Sequence, residues 1–123
     1  MALKKLTPLL WTEKLDETID FYTKTLGFEC ANRNDEWGWA ALHNGDVDIM
    51  LAKPNEHIAF DKPTFTGSFY FYTDQAETLW NELKDKVKVA YPIEVFEWGM
   101  KEFAIYDNNG YLLQFGQDVS EET

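Results

Sequence analysis

Two carboxylate pairs, Asp46 with Asp48 and Glu97 with Glu102, are the groups in this sequence that could stand close enough to share proton-transfer work as general acid and base. The same spacings also describe a solvated strand face, which is the simpler reading of both. His43 adjoins an Asn-Gly dipeptide and His57 lies in a proline-containing loop, and neither has a spaced partner of the His-x-x-x-His kind, so both read as surface or hydrogen-bonding imidazoles. Ser68, Ser120 and Cys30 lack a nucleophile elbow, a glycine-rich loop or a neighbouring base, and Cys30 reads as a small buried hydrophobe within a strand. No catalytic residue is assigned. What the sequence does concentrate is aromatic surface: 16% of residues are Phe, Trp or Tyr, with 5 Trp. Trp37, Trp39 and Trp98 lie near Asp35, Glu36, Glu97 and Glu102, a combination suited to stacking a planar ring and attracting a positive charge.

The 123 residues carry 22 acidic and 11 basic side chains, a formal charge of −11. Nucleic acid is excluded as a partner, because phosphate binding draws on Lys and Arg and the only arginine is Arg33. The acidity favours solubility and concentrates cations near the surface. At this length one domain can remove roughly two thirds of its unfolded surface from water without staples. A lone cysteine fits that economy. No stretch approaches the ~20 apolar residues of a membrane span, and the first residues lack the apolar run of a signal peptide, so the expected location is the cytoplasm, with no membrane partner.

The elements that must position these residues follow from periodicity. Alternating or β-branched and aromatic runs predict strands over 7–11, 28–32, 38–43, 46–52, 68–73, 89–96, 101–106 and 111–116. Leu15, Ile19, Tyr22 and Leu26, and then Ala76, Leu79, Trp80, Leu83 and Val87, recur at helical spacing and predict two amphipathic helices. Asp74-Gln75-Ala76-Glu77 has the form of a capping box for the second, and Leu26-Gly27 should end the first. Asn44-Gly45 and Asn109-Gly110 predict tight hairpins.

The order is therefore strand, helix and three strands, given twice. Glu36-Trp37-Gly38 returns as Glu97-Trp98-Gly99, and the Asn-Gly turns also recur, as expected of a duplication. Residues 1–123 read as a single α+β domain: a first βαβββ module over 6–53, a connecting loop over 54–66, a second module over 67–117 and an acidic tail over 118–123. Alternation puts Thr7, Leu9 and Trp11 on one strand face, as it does Asp48 and Met50, then Ser68, Tyr70 and Tyr72, and then Leu112, Gln114 and Gly116.

Phe21-Tyr22-Thr23-Lys24-Thr25-Leu26-Gly27-Phe28, and Trp98-Gly99-Met100-Lys101-Glu102-Phe103-Ala104 followed by Asp107-Asn108-Asn109-Gly110, give the chain its resemblance to the vicinal oxygen chelate superfamily, which includes glyoxalases, extradiol dioxygenases and bleomycin resistance proteins. The second stretch is most similar to the resistance branch. The resemblance implies two βαβββ modules forming a curved mixed-sheet cleft, paired in a dimer. It also implies a test, since metal-dependent members take His, Gln or Glu from four equivalent strand positions, which align here with Thr7, Met50, Ser68 and Gln114. Two hydroxyls, a thioether and one amide are a poor set for a hard or borderline dication, so neither metal nor other cofactor is expected.

Without a metal to polarise substrate oxygen, the resemblance implies binding and sequestration of a small aromatic or cationic compound, bleomycin-like, by a cytoplasmic homodimer. The candidate ligand-binding residues are Trp37, Trp39, Met50, Ser68, Tyr70, Trp98, Met100, Glu102 and Gln114. The alternative is a metal-dependent lyase, isomerase or dioxygenase of the same superfamily with an atypical site. A further possibility is an interaction module whose cleft is filled by its own Phe69, Tyr70 and Met100.

Overall fold

The computed structural model describes residues 4–55 and 59–120 and divides into two compact units, 1–63 and 64–123. His57 and the last three residues of the acidic tail lie outside the described residues. The first unit runs β1 (Leu9–Trp11), α1 (Leu15–Asp20), a π-helical turn (Phe21–Thr25), β2 (Glu29–Asn34), β3 (Trp39–Asn44) and β4 (Val47–Ala52). The second runs β5 (Phe69–Tyr72), α2 (Ala76–Leu83), β6 (Lys88–Val95), β7 (Met100–Tyr106) and β8 (Leu112–Asp118). Their sheets have matching orders, β1-β4-β3-β2 and β5-β8-β7-β6. In each, the first and last strands pair in parallel and the others antiparallel, so each unit is a βαβββ module with a mixed four-stranded sheet and the fold is α+β, as expected.

In the first unit Leu15, Ile19 and Tyr22 bury the helical stripe with Ala40, Leu42, Ile49 and Leu51 from alternate positions of β3 and β4. The second repeats the plan, Ala76 and Leu83 being buried with Phe103, Ile105, Leu113 and Phe115, and Phe103 stacks on Phe115 at 5.1 Å between ring centres. Helix periodicity and strand alternation therefore select the same face of each sheet as core.

The duplication extends to irregularities. Gly38 and Gly99 both have positive φ, 67° and 85°, and their carbonyls accept from the N–H groups of Lys53 and Val119 at 2.8 and 2.9 Å, tying each Trp-Gly turn to the end of its unit's last strand. The pairings of β2 with β3 and of β6 with β7 both slip, between Cys30 and Asn32 and between Val89 and Tyr91.

Several local expectations are corrected. The α-helical ladder of α1 gives way at Phe21 to a π turn, closed by Leu26 N–H to Phe21 O at 3.2 Å, before Gly27 at φ 79° ends the segment. Helix α2 stops at Leu83, so Val87 is not on its stripe. The capping box does not form: no side chain caps at Gln75, and the Ala76 N–H instead donates to Gln117 Oε1 at 3.1 Å, a partner 41 residues away that no local motif could announce. The first hairpin has positive φ at Gly45 only, the requirement of a II′ turn. The second is a wider loop in which Asp107 Oδ1 accepts from the N–H groups of Asn109 and Tyr111, with Gly110 at φ 88°. Cys30 is exposed, because β2 is an edge strand with solvent on both faces at this point.

Candidate functional site

The site is built on the face of the second sheet that does not carry the apolar core. Glu102, on β7, is 3% exposed, and both carboxylate oxygens are occupied by ring donors. Tyr70 Oη donates to Oε1 at 2.7 Å, Trp98 Nε1 donates to Oε1 at 3.3 Å, and the Tyr91 hydroxyl donates to Oε2. Behind Tyr91, Gln114 Nε2 donates to its hydroxyl at 2.8 Å, and Ser68 hydrogen-bonds Gln114 Oε1. The bonds run in one sense, from Ser68 through Gln114 and Tyr91 to the carboxylate, so each amphoteric group has its orientation set by the next.

The strands explain the convergence. Tyr70 pairs with Gln114 and Glu102 with Gly116, which puts β5, β8 and β7 side by side with these side chains on one face. Gly116 lies between Tyr70 and Glu102, and a Cβ there would stand 2.0 Å from the Tyr70 hydroxyl. The missing side chain is the passage through which Tyr70 reaches the carboxylate. Tyr91 arrives by the slip in β6: regular alternation from Val89, opposite Ile105, would send Tyr91 to the core face, whereas here it opposes Ala104 and joins Glu102.

Aromatic packing extends the network. Trp98, 60% exposed, lies flat against Phe96 at 4.7 Å and 6° between planes, and Phe96 meets the Tyr91 ring edge-on at 5.9 Å. Tyr70 contacts Tyr72, exposed at 79%, at 5.1 Å. The phenol of Tyr70 is pushed well above its ordinary range, first by burial and then by its bond to Glu102. Tyr91 is raised by burial and by the same carboxylate, against an opposing pull from Gln114. Both therefore serve as neutral donors at neutral pH. Glu102 has no Lys or Arg partner among the described residues, and Lys101 faces the other way, toward Glu77 at 3.9 Å.

Of the nine candidate residues, the structure links Ser68, Tyr70, Trp98, Glu102 and Gln114 through hydrogen bonds. Met100 is on the same strand face, two residues before Glu102, without a bond into the network. Trp39 and Met50 meet in the first unit, the indole Nε1–H pointing at Met50 Sδ from 3.4 Å. Register makes these two pairs counterparts, since Trp39 opposes Ala52 as Glu102 opposes Gly116, and Met50 opposes Leu9 as Gln114 opposes Tyr70. At these matched positions one module carries a thioether and an indole and the other a carboxylate and an amide. Trp37 is 74% exposed on its turn and is not joined to this set. Sequence reasoning missed Tyr91, Phe96 and Gly116.

A family model described as the Glyoxalase/Bleomycin resistance protein/Dioxygenase superfamily matches residues 5–115. The chain belongs to this superfamily. Solved structures with the same fold include a superfamily member from Sphaerobacter thermophilus, 18% identical with a TM-score of 0.80 over 94% of this chain and 98% of that one. A glyoxalase/bleomycin resistance protein/dioxygenase from Nocardioides is 16% identical with a TM-score of 0.75, covering 97% and 86%. An integron cassette protein from the mobile metagenome of a Halifax Harbour sewage outfall is 23% identical, TM-score 0.73, covering 94% and 99%. No curated protein matches.

The divalent ion used by metal-dependent members of the superfamily does not fit these residues. Thr7, Met50, Ser68 and Gln114 offer two hydroxyls, a thioether and an amide, and Ser68 and Gln114 are hydrogen-bonded to one another. The described residues hold no group of three or more His, Cys, Asp or Glu able to share an ion. Glu102, the carboxylate of the same hydrogen-bond network, already accepts three hydrogen bonds. His43 stands across from Glu29 on β2, 3.4 Å away, as a surface imidazole. An open groove elsewhere in the first unit, lined by Glu13, Lys14, Asp16, Glu17, Arg33 and Asp35, is a salt-bridged surface whose guanidinium is held by Asp35 at 2.5 Å and by Asp16.

Proposed function

We propose that this chain binds and sequesters a small aromatic, cationic compound of the bleomycin type, without a metal ion and without altering the compound chemically, and that it does so as a homodimer. The supporting observation is the buried Glu102, whose negative charge is met by three ring donors and by no cation among the described residues. The Glu102 carboxylate, enclosed by rings, projects an attractive field toward any cation that arrives at them. Trp98, backed by Phe96, supplies a flat surface for the aromatic part.

Tryptophan fluorescence and thermal shift, run in a chelator with cationic glycopeptides and planar aromatic cations, test the reading. A binder should quench fluorescence and, at 100 times its dissociation constant, stabilise the fold by about 2.7 kcal/mol. It should be recovered chemically intact. Trp98→Ala should weaken binding by about 1–3 kcal/mol, the scale of an aromatic anchor. Turnover of a ligand that disappears on chelation would replace sequestration with metal-dependent catalysis.

A further inference from the structure

We infer that the Glu102 site selects poorly hydrated organic cations, quaternary ammonium or charge-delocalised aromatic ones, over amines that donate hydrogen bonds; the inference rests on the binding function proposed above. A direct salt bridge needs carboxylate oxygens that a ligand can reach. Those of Glu102 are 97% shielded with their residue, and the groups in the way are Tyr70, Tyr91 and Trp98, each bonded to an oxygen through its own O–H or N–H. A ligand ammonium would have to displace one of these rings to replace its bond. The charge is instead transmitted through the rings. Donating a hydrogen bond to an anion returns electron density to a phenol or indole, which makes its π face more negative and its attraction for a cation stronger.

The surroundings favour the same ligand class. Trp98 and Tyr72, the latter packed on Tyr70, present aromatic surface at 60% and 79% exposure. Glu94 stands across from Glu102 on the neighbouring strand, on the same face and exposed, and adds a second negative charge with no ring covering it. A primary ammonium seated over the three rings that shield Glu102 loses strong hydration and gains only π faces at that place. A trimethylammonium or a delocalised ring cation has little hydration to lose and makes the same electrostatic gain. Glu102 is therefore a positioning residue, acting on the ligand through the three rings it orients, and Gln114 and Ser68 hold Tyr91 in its donating sense.

Three probes that differ only at one end decide this: benzyltrimethylammonium, benzylammonium and benzyl alcohol, titrated by tryptophan fluorescence at pH 7. The trimethyl cation should bind about fivefold or more tighter than benzylammonium, and more tightly still than the alcohol. Glu102→Gln should lower the ratio of trimethyl to alcohol affinity several-fold, and Trp98→Phe, which keeps a ring but removes its N–H, should lower it in the same direction whether or not the glutamine variant folds. Benzylammonium binding as tightly as the trimethyl probe, or tighter, overturns the inference while leaving the proposed function intact. Unchanged selectivity in a folded Glu102→Gln, or in Trp98→Phe, also overturns it. If the alcohol binds as well as both cations, or none of the three binds, the proposed function falls with it.

Discussion

Glycine at position 116 carries more of the site than any of its donors, because a hydrogen atom in place of a methyl group is what lets Tyr70 cross to Glu102. Gly116→Ala sets a Cβ 2.0 Å from the Tyr70 hydroxyl and 2.7 Å from Cζ, so the ring must leave. Overpacking of this kind costs about 1–3 kcal/mol, measured by urea denaturation. In a Tyr70→Ala background the same substitution should cost much less, and additive effects of the two changes would show that they do not meet. The two shifted phenols give a pH signature. Their folded pKa values are raised, so the native state holds protons that the unfolded chain has released; the associated stability is full below the unfolded value of about 10 and is lost as pH rises beyond it. Phenolate absorbance should show Tyr70 and Tyr91 resisting ionisation and ionising at lower pH in a folded Glu102→Gln variant, and identical titrations of the two proteins would remove the network. Ser68, Tyr70 and Gln114 were legible from alternation joined to the family resemblance, which aligns Ser68 and Gln114 with ligand positions, and Glu102 from its place beside Trp98 in the Trp98–Ala104 motif. Tyr91 was not, since the slip in β6 reverses the face that alternation assigns to it.

The helices and turns show where local chemistry predicts an element's position but not its bonds. Hydrophobic spacing located α2, but Asp74 and Glu77 do not close on one another, and the first free amide is satisfied by Gln117 from β8. Asp74→Ala should therefore leave stability within about 0.5 kcal/mol, a surface-like effect, whereas Gln117→Ala should cost about 0.5–1.5 kcal/mol and speed amide exchange at Ala76. The reverse ranking would restore the capping box. Cys30 illustrates a related limit: its neighbours have a strand's composition, but composition does not distinguish a central strand from an edge, and β2 lies at the edge with the cysteine in solvent. The overall order of elements was legible because it depends on repeated periodicity, which single bonds do not disturb. The π turn after α1 rests on the Leu26 N–H bond to Phe21 O and the wider second hairpin on two N–H groups that donate to Asp107 Oδ1, and neither was legible.

At the scale of the molecule the charge of −11 acts on two proposed associations with opposite sign. A homodimer brings two strongly acidic chains together, and their repulsion should weaken as ions screen it, with a Debye length of about 10 Å at 0.1 M salt and about 3 Å at 1 M. Sedimentation at micromolar concentration should therefore find the dimer favoured as salt is raised. Capture of a cation draws on the same negative field, with Glu102 and Glu94 at its local centre, and its affinity should fall over the same range. The fall should be shallow, because the Glu102 carboxylate is enclosed by rings and mobile ions cannot come between it and a ligand seated on them. A steep loss of affinity would place the cation at exposed carboxylates elsewhere on the surface. A mass that stays monomeric at every salt concentration would show that each chain binds alone, and the divergence of the two salt dependences would then have no dimer to report on.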